Sequence, residues 1–258
     1  MHLSRVPVET ATTGLGGQTN AYLLGRERAL LVDPAAETDD LDAAVADADV
    51  VHVAVTHHHP DHVGAVAAYA AETDATVWAR EGFADAFASA TGVEPDRTFS
   101  EGTAIPTDEG PVRVLETPGH AREHVAFETD AGTLVGDLAT ATGSVVVGAP
   151  EGDMRAYLTS LRRLAARDAG PLFPGHGPVV EAARGTIERL IDHRRDREHR
   201  VRAAVRGGAA TLDEVLDAAY EKDLSGVRAM ARATVRAHLE KLAVEGDLAW
   251  DGERATPR

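Results

Sequence analysis

The sequence contains no cysteine, and only two of its 258 residues, Lys222 and Lys241, are lysines. The missing cysteines exclude disulfide bonds and thiolate metal ligands. No apolar run approaches the roughly 18 residues that a transmembrane helix requires. The opening residues MHLSRVPVET also lack the apolar region of a signal peptide. These absences predict a cytoplasmic protein with no membrane-spanning segment.

Negative charge dominates the chain, whose formal net charge is −16. An acidic, alanine-rich and lysine-poor composition is expected in a high-salt cytoplasm, where carboxylates maintain solubility. A GC-rich genome that encodes an acidic protein is the alternative explanation. In either case the net charge disfavours nonspecific binding of nucleic acid by the whole surface.

The charge is unevenly distributed along the chain. Residues 1–197 contain 31 acidic and 16 basic residues, whereas residues 198–258 contain 11 and 10. This shift predicts a main domain at 1–197 and a small domain at 198–258. In the small domain, TLDE (211–214) forms a capping box and Ser225 is a candidate N-cap for the next helix. Helices followed by a hairpin around an Asp-Gly turn predict a winged helix.

The main domain mixes strand and helix patterns. VVHVAVT (50–56), GTLVGD (132–137) and SVVVG (144–148) are apolar and bounded by turn residues, which favours strands, and GAVAAYAAE (64–72) favours a helix. Runs of strands that helices interrupt are typical of a sheet sandwich with helices outside. The predicted fold class is therefore α/β, or α+β.

The segment THHHPDHVGA (56–65) concentrates four of the 12 histidines and one aspartate directly after a predicted strand. Side chains two residues apart in an extended segment point the same way, so His57 and His59 can converge on one metal ion. Asp61 and His62 then face a neighbouring position. A loop at the end of a strand holds such ligands rigidly and exposes them to substrate.

Further metal ligands are expected downstream, because one cluster cannot complete two metal sites. Three candidates each follow a predicted strand: His120 in TPGH, Asp137 in LVGD and His176 in FPGH. A Pro-Gly turn after a strand presents the next side chain at the edge of the sheet. The candidates amount to six nitrogen or oxygen ligands and one carboxylate that can bridge two ions.

These motifs resemble those of the metallo-β-lactamase fold superfamily. The resemblance is carried by THHHPDH, TPGH, GD and PGHG, together with TNAYLL and LLVDPA, and covers roughly residues 8–195. It implies an αβ/βα sandwich with two metals at one sheet edge. The implied ligands are His57, His59 and His120 on the first metal, Asp61, His62 and His176 on the second, and Asp137 as a bridge. Antibiotic-hydrolysing members usually have a cysteine in the second site, so its absence favours a general hydrolase.

ETPGHAREHVAF, FPGHGPVV and HRRDRE, followed by the winged-helix pattern, are similar to the β-lactamase-like protein 2 group. That group includes endoribonucleases specific for single-stranded RNA. The resemblance implies a dinuclear hydrolase whose metal-bridging hydroxide attacks an RNA phosphodiester, with Asp61 as the catalytic residue that orients the nucleophile. Zinc suits imidazole and carboxylate ligands, whereas manganese and iron stay open.

Two other functions stay open. A thioester or ester hydrolase of the hydroxyacylglutathione hydrolase type would use the same metal centre, although those relatives carry a different C-terminal tail. A non-enzymatic winged-helix regulator would not need the complete set of ligands. The expected substrate is thus RNA or a small molecule. The oligomeric state is open, and a homodimer is one outcome.

Arg228, Arg232 and Arg236 recur every four residues and form one row on a predicted helix. Guanidinium groups bind phosphate oxygens through paired hydrogen bonds, so this row is a candidate RNA-binding surface. The alternative is a solvated face in which Arg236 pairs with Glu240 and the other two arginines pair with nearby carboxylates.

Five residues near the motifs have both a functional and a structural interpretation. Asp33, at the end of LLVD, either orients a ligand histidine or caps the following segment. Asn20 is a candidate to hydrogen-bond a loop near the metals. His124 either lines the site or packs structurally. His58 faces away from the ligands, and His52 alternates with valines, so neither is expected to bind metal.

Overall fold

The computed structural model describes residues 2–11, 17–167, 169–221 and 223–258. These residues form two compact units whose segments alternate along the chain. The first unit comprises Met1–Thr117, Glu123–Gly143 and Arg167–Ala183, and the second comprises Pro118–Arg122, Ser144–Ala166 and Arg184–Arg258.

Two β-sheets form the framework of the first unit. The six-stranded sheet has the order β1-β2-β3-β4-β5-β6, and the five-stranded sheet has the order β11-β10-β9-β8-β7. The strands are β1 (Leu3–Glu9), β2 (Gln18–Leu24), β3 (Ala29–Val32), β4 (Val50–Ala54), β5 (Thr76–Arg80), β6 (Arg97–Phe99), β7 (Ala104–Thr107), β8 (Gly110–Glu116), β9 (Val125–Thr129), β10 (Gly132–Gly136) and β11 (Leu172–Pro174). Strands β3 to β6 are parallel neighbours, and β11 pairs in parallel with β10.

The alternation of side chains along the strands builds two apolar layers. Leu30 and Val32 of β3 pack with Phe127 and Leu134 of the other sheet, whereas Leu31 points to the opposite face. That face is covered by helices α1 (Asp39–Ala46), α3 (Val66–Thr73) and α4 (Ala84–Thr91), and a one-turn helix α2 spans Pro60–Val63. The sandwich with outer helices confirms the expected mixed α/β class.

Helices and a short hairpin make up the second unit. Its elements are α5 (Met154–Ala165), α6 (Ala183–Arg206), α7 (Leu212–Ala219), α8 (Arg228–Val244), β12 (Leu248–Trp250) and β13 (Ala255–Pro257), of which α6 begins at the last residue of the first unit. Val201, Leu216, Val235 and Leu248 share one buried cluster. This cluster joins α6, α7, α8 and the hairpin because each contributes its apolar face.

The capping box expected at TLDE is present, with Thr211 and Glu214 each accepting from the other's backbone N–H. The expectation for Ser225 is wrong, because α8 begins after Val227 and the Ser225 hydroxyl donates to Asp223 instead. SVVVG (144–148) is not a strand either. The carbonyl of Val145 accepts from the Arg194 guanidinium and that of Val146 accepts from the His120 ring, so neither is paired in a sheet ladder.

The order of helices and hairpin in the second unit agrees with the pattern expected of the C-terminal region. Helix α6 is continuous across residues 197 and 198. The boundary at this point and the winged-helix assignment stay predictions. Among the residues that the structure describes, none of the helices combines the length and the apolar character that crossing a membrane requires.

Candidate metal centre

Six of the seven expected ligands belong to the first unit, and each follows a strand. His57, His59, Asp61 and His62 come after β4, Asp137 after β10, and His176 after β11. Pro60 opens the one-turn helix α2, with His59 at its N-cap, so the chain turns sharply inside the histidine cluster. Since β10 and β11 are parallel neighbours, Asp137 and His176 emerge at the same sheet edge.

The side chains of this unit converge as two groups of candidate ligands. His57, His62 and Asp137 form one group, and Asp61, His62 and His176 form the other; in each, the ligand atoms lie within 4.8 Å of one another. Oδ1 of Asp137 is 3.3 Å from Nε2 of His176 and 3.7 Å from Nε2 of His62. His62 is common to both groups, and the Asp137 carboxylate, a member of the first, lies 3.3 Å from His176 of the second.

Asp33 sets the orientation of His62, a buried candidate ligand. Its Oδ2 accepts from Nδ1 of His62 at 3.0 Å and from the Thr56 hydroxyl at 2.8 Å. Because that hydroxyl donates its only proton to Asp33, it accepts from Nδ1 of His57, 3.0 Å away. Both imidazoles then carry their lone pair on Nε2, the form that a metal binds. Of the two interpretations of Asp33, this geometry supports the one in which it orients a ligand.

Nε2 of His62 provides a direct test of whether a cation fits. His62 has no solvent exposure, and among the described residues Nε2 has no hydrogen-bond partner. A buried polar nitrogen without a hydrogen bond is costly. A divalent cation would satisfy it, and the surrounding donors are imidazoles and carboxylates, which suit such an ion.

The loop that carries His176 is held by β2. Asn20 donates to the carbonyls of Pro174 and Gly177 at 2.8 and 2.9 Å, and the Tyr22 hydroxyl donates to Pro174 at 2.7 Å. Nδ1 of His176 donates to a backbone carbonyl at 2.7 Å, which again leaves Nε2 in the metal-binding form. Asn20 thus makes the loop contacts that the sequence suggested.

Gly175 allows the two groups to approach each other. A Cβ at this position would lie 2.7 Å from Cε1 of His62 and 2.9 Å from Oδ1 of Asp137. Any side chain here would displace both ligands, so the glycine of the PGH motif is needed for the close approach of the backbone as well as for the turn.

The ring of His124 holds the backbone of Asp137 in place by a hydrogen bond. Nε2 of His124 accepts from the Asp137 N–H at 3.1 Å, and Nδ1 donates to the Thr117 hydroxyl at 2.8 Å. The ring has no solvent exposure. Its interpretation as a structural residue is therefore supported, and its contact with Asp137 is a role that the local sequence did not indicate.

His120, the seventh candidate, lies in the Pro118–Arg122 segment of the second unit. Its Nδ1 donates to the carbonyl of Val146 at 2.6 Å, so this imidazole also carries its lone pair on Nε2. The segment is anchored to α5, because the Asp153 N–H donates to the Gly119 carbonyl at 2.8 Å. His120 as a metal ligand stays a prediction.

The family model described as the Metallo-beta-lactamase superfamily matches residues 14–176 of this chain. This range includes every expected ligand. The chain belongs to this superfamily. Its sequence is 32% identical over 251 residues to a protein of Drosophila melanogaster named Beta-lactamase-like protein 2 homolog, covering 89% of this chain and 84% of that protein.

Two further comparisons bear on the superfamily assignment. A protein of Paecilomyces divaricatus named Atrochrysone carboxyl ACP thioesterase AgnL7 is 26% identical, covering 90% of this chain and 76% of that protein. The crystal structure of the metallo-beta-lactamase family protein TTHA1429 from Thermus thermophilus superposes with a TM-score of 0.80 at 26% identity, covering 99% and 98% of the two chains. The chain is thus a hydrolase of the metallo-β-lactamase superfamily.

The charges of the superfamily site favour a bound cation. Burial lowers the pKa of His176, but the hydrogen bond and the negative charge of Asp137 outweigh it and raise this pKa to about 9. Burial likewise lowers the pKa of His62, but the charge and the hydrogen bond of Asp33 raise it, and the pKa is higher overall than that of a free imidazole. The carboxylates therefore stabilise positive charge at this position, which is the electrostatic requirement of a metal site.

Two histidines outside the ligand set have structural partners, as expected. His52 accepts from the Trp78 indole at 3.3 Å inside the core. The backbone N–H of His58 donates to Glu123, and its ring packs against Phe83 and Phe87.

The arginine row on α8 is ion-paired within the second unit. Arg228 lies 2.7 Å from Asp217, Arg232 lies 3.2 Å from Asp213, and Arg236 lies 2.8 Å from Glu240. These ion pairs are the ones expected if the three arginines form a solvated face of the helix. The arginine side chains are 40% to 51% exposed, and their binding of a substrate stays a prediction.

Proposed function

We propose that this chain is a dinuclear metal-dependent hydrolase that acts on esters and thioesters. The observation that carries the proposal is the convergence of imidazole and carboxylate donors around Asp137, with Nε2 of His62 buried and without a hydrogen bond. We assign one cation to His57, His59 and His120, the second to Asp61, His62 and His176, and the bridge to Asp137. Zinc is the cation that this donor set suits first.

Two divalent cations at such a site supply a hydroxide nucleophile near neutral pH and polarise the group that is attacked. The protein holds the donors in place: Asp33 fixes His57 through Thr56 and fixes His62 directly. Asp61, whose side chain is 21% exposed, is the carboxylate with access to solvent, and we assign it the orientation of the attacking water and the acceptance of its proton.

Esters and thioesters are preferred over RNA because of the second unit. The guanidinium groups of the arginine row already pair with carboxylates, which reduces the net charge that a phosphate backbone would meet. The similarity to a protein named as a thioesterase supports the same substrate class.

RNA is the second candidate substrate, and one observation favours it. The three arginines stay half exposed and regularly spaced on one face of α8, so a polyanion could exchange with their carboxylate partners. This exchange would be weakened by salt.

A panel of substrates tests the proposal. The purified protein should contain about two divalent metals per chain and should hydrolyse acyl thioesters and p-nitrophenyl esters faster than p-nitrophenyl phosphodiesters or labelled single-stranded RNA. His120→Ala is the inactive control, and its circular dichroism spectrum should match that of the wild type. If the protein cleaves RNA but none of the esters and thioesters, RNA becomes the favoured substrate class. Two bound metals with no turnover of any substrate would refute the proposed activity.

A further inference from the structure

A cavity of about 400 Å³ lies within the second unit, beside the segment that carries His120. Its walls come from residues on both sides of His120 in the chain, from the start of α5 and from the C-terminal half of α8. This volume falls in the range of small-molecule sites, about 300–1,000 Å³. The cavity can therefore accommodate part of a small organic substrate.

The apolar part of the lining extends from the floor to the mouth. Met154 and Ala237 are 1% and 2% exposed, whereas Val244 is 70% exposed. An exposed large aliphatic side chain at the end of a partly apolar cavity favours a ligand with a short hydrocarbon portion, because binding would remove that surface from water.

Four of the five charged groups in the lining already have partners. Arg122 donates to the carbonyl of Pro150 at 3.2 Å. Asp153 accepts from two backbone N–H groups in the first turn of α5, so the helix terminus has its own anion. Glu240 pairs with Arg236 at 2.8 Å. Lys241 lies 2.6 Å from both Glu198 and Glu245. These groups contribute little net charge to a ligand.

Arg155 is different from these groups. It is exposed, lines the cavity, and has no ion pair with any residue in the described ranges. Arg162 of the same helix is also exposed and has no ion pair among the described residues, but it does not line the cavity. Arg155 therefore places uncompensated positive charge next to the apolar surface of the cavity.

We propose that this cavity binds a carboxylate carried on a short hydrocarbon chain of the thioester or ester substrate. Arg155 pairs with the carboxylate, and Met154 and Val244 contact the hydrocarbon. The carboxylate belongs either to the acyl group or to the leaving thiol. This inference rests on the proposed function, since it names the substrate class of the same enzyme.

Three thioesters of matched length separate the two locations of the carboxylate. Valeryl-N-acetylcysteamine is neutral, glutaryl-N-acetylcysteamine carries a carboxylate on the acyl group, and S-valeryl-3-mercaptopropionate carries one on the thiol. Arg155→Gln should raise KM for one of the two anionic thioesters about threefold to tenfold more than for the neutral one, with kcat unchanged. Val244→Glu, at an exposed position, should discriminate against the same thioester by repulsion.

The control is Arg162→Gln, an exposed arginine of the same helix that does not line the cavity; it should change none of the three KM values. An equal change for all three thioesters in Arg155→Gln, or no change at all, would overturn the inference.

A binding measurement keeps this inference separate from the proposed activity. Titration calorimetry of the metal-loaded enzyme with glutarate should show binding that weakens about threefold to tenfold in Arg155→Gln and is unchanged in Arg162→Gln. If no thioester is hydrolysed, the proposed function fails and this titration alone decides the inference. If thioesters are hydrolysed but glutarate binds both variants equally, the proposed function stands and the inference fails.

Discussion

Nδ1 of His62 lies 3.0 Å from Oδ2 of Asp33, and both side chains are at most 1% exposed. The same carboxylate accepts from the Thr56 N–H at 2.7 Å and from its hydroxyl at 2.8 Å. Asp33 therefore determines which nitrogen of His62 faces the site, and through Thr56 it determines the same for His57. One buried carboxylate that need not touch a metal controls two of its expected ligands.

Asp33→Asn should weaken metal binding about 10- to 100-fold, because an amide nitrogen in place of Oδ2 can accept neither from the Thr56 hydroxyl nor from Nδ1 of His62. Asparagine tolerates the positive φ of 53° at this position, so the backbone should be retained. Competition with a chelator of known affinity measures the change, and Asp40→Asn, at an exposed position of α1, is the control. Unchanged affinity would show that Asp33 has only a structural role.

Asp137→Ala should lower the affinity for both metals together, because Asp137 shares a group of candidate ligands with His57, assigned to the first cation, and lies 3.3 Å from His176, assigned to the second. Metal analysis after dialysis against a weak chelator should give well under two ions per chain, and activity should fall at least about 100-fold. The clean loss of one ion, with the second bound as tightly as before, would argue against the bridging assignment.

Gly175→Ala should reduce metal affinity and activity, because the added methyl group would lie within 3 Å of both His62 and Asp137. Gly185→Ala is the matched control: in the part of the chain that the structure describes, no atom beyond its own helical turn lies within 4 Å of its Cβ position, so stability should be unchanged or rise by up to about 1 kcal/mol. Equal activities of the two variants would contradict the packing described for Gly175.

Glu198 should make the stability of the protein sensitive to acid. Burial raises its pKa, but the neighbouring His238 ring and the Lys241 ammonium, 2.6 Å away, outweigh this effect and lower the pKa from 4.5 to about 2. Since the pKa is lower in the folded state, the stabilisation is complete above about pH 4.5 and is lost as the pH falls towards 2.

Glu198→Gln should therefore lower the free energy of unfolding at pH 7 by about 3 kcal/mol, the cost of removing one partner from a buried ion pair. Urea denaturation at several pH values should show this difference shrinking below pH 4.5. A difference that is the same at pH 7 and pH 3 would mean that the variant acts through packing and not through charge.

Replacement of Arg228, Arg232 and Arg236 by glutamine tests the RNA candidate. If the row guides RNA, cleavage of single-stranded RNA should fall about tenfold while turnover of a small phosphodiester stays the same, and the effect should diminish at high salt. Circular dichroism checks the fold, since the ion pairs to α7 are lost. If both activities are unchanged, the row is a solvated face.

The candidate metal ligands of the first unit could be proposed from the sequence because each follows a strand. The strand pattern predicts the sheet edge at which these residues lie, and the His-x-His-x-Asp-His spacing predicts that they bind metal. The sequence left two interpretations of Asp33 open, because its role depends on a contact with His62, 29 residues away. Sequence spacing contains no direct information about such a pair.

The strand predicted at SVVVG is wrong for the same reason. SVVVG has the composition of a strand, yet the carbonyl of Val146 bonds to His120, 26 residues away, and that of Val145 bonds to Arg194, 49 residues away. The charge shift near residue 197 predicts a boundary that stays a prediction, and the segments of the two compact units alternate along the chain. Local composition cannot predict this alternation, because it depends on long-range packing.

The contacts between β2 and the loop after β11 also bear on how the protein is made. Asn20 and Tyr22 bond to the Pro174 carbonyl across 154 and 152 residues of chain. During translation, the histidines at 57–62 leave the ribosome long before His176 is synthesised, so the proposed second site would lack one of its ligands until then. Completion of the proposed metal centre would therefore wait for residue 176, and a chain terminated before it would expose imidazoles that could bind metal without enclosing it.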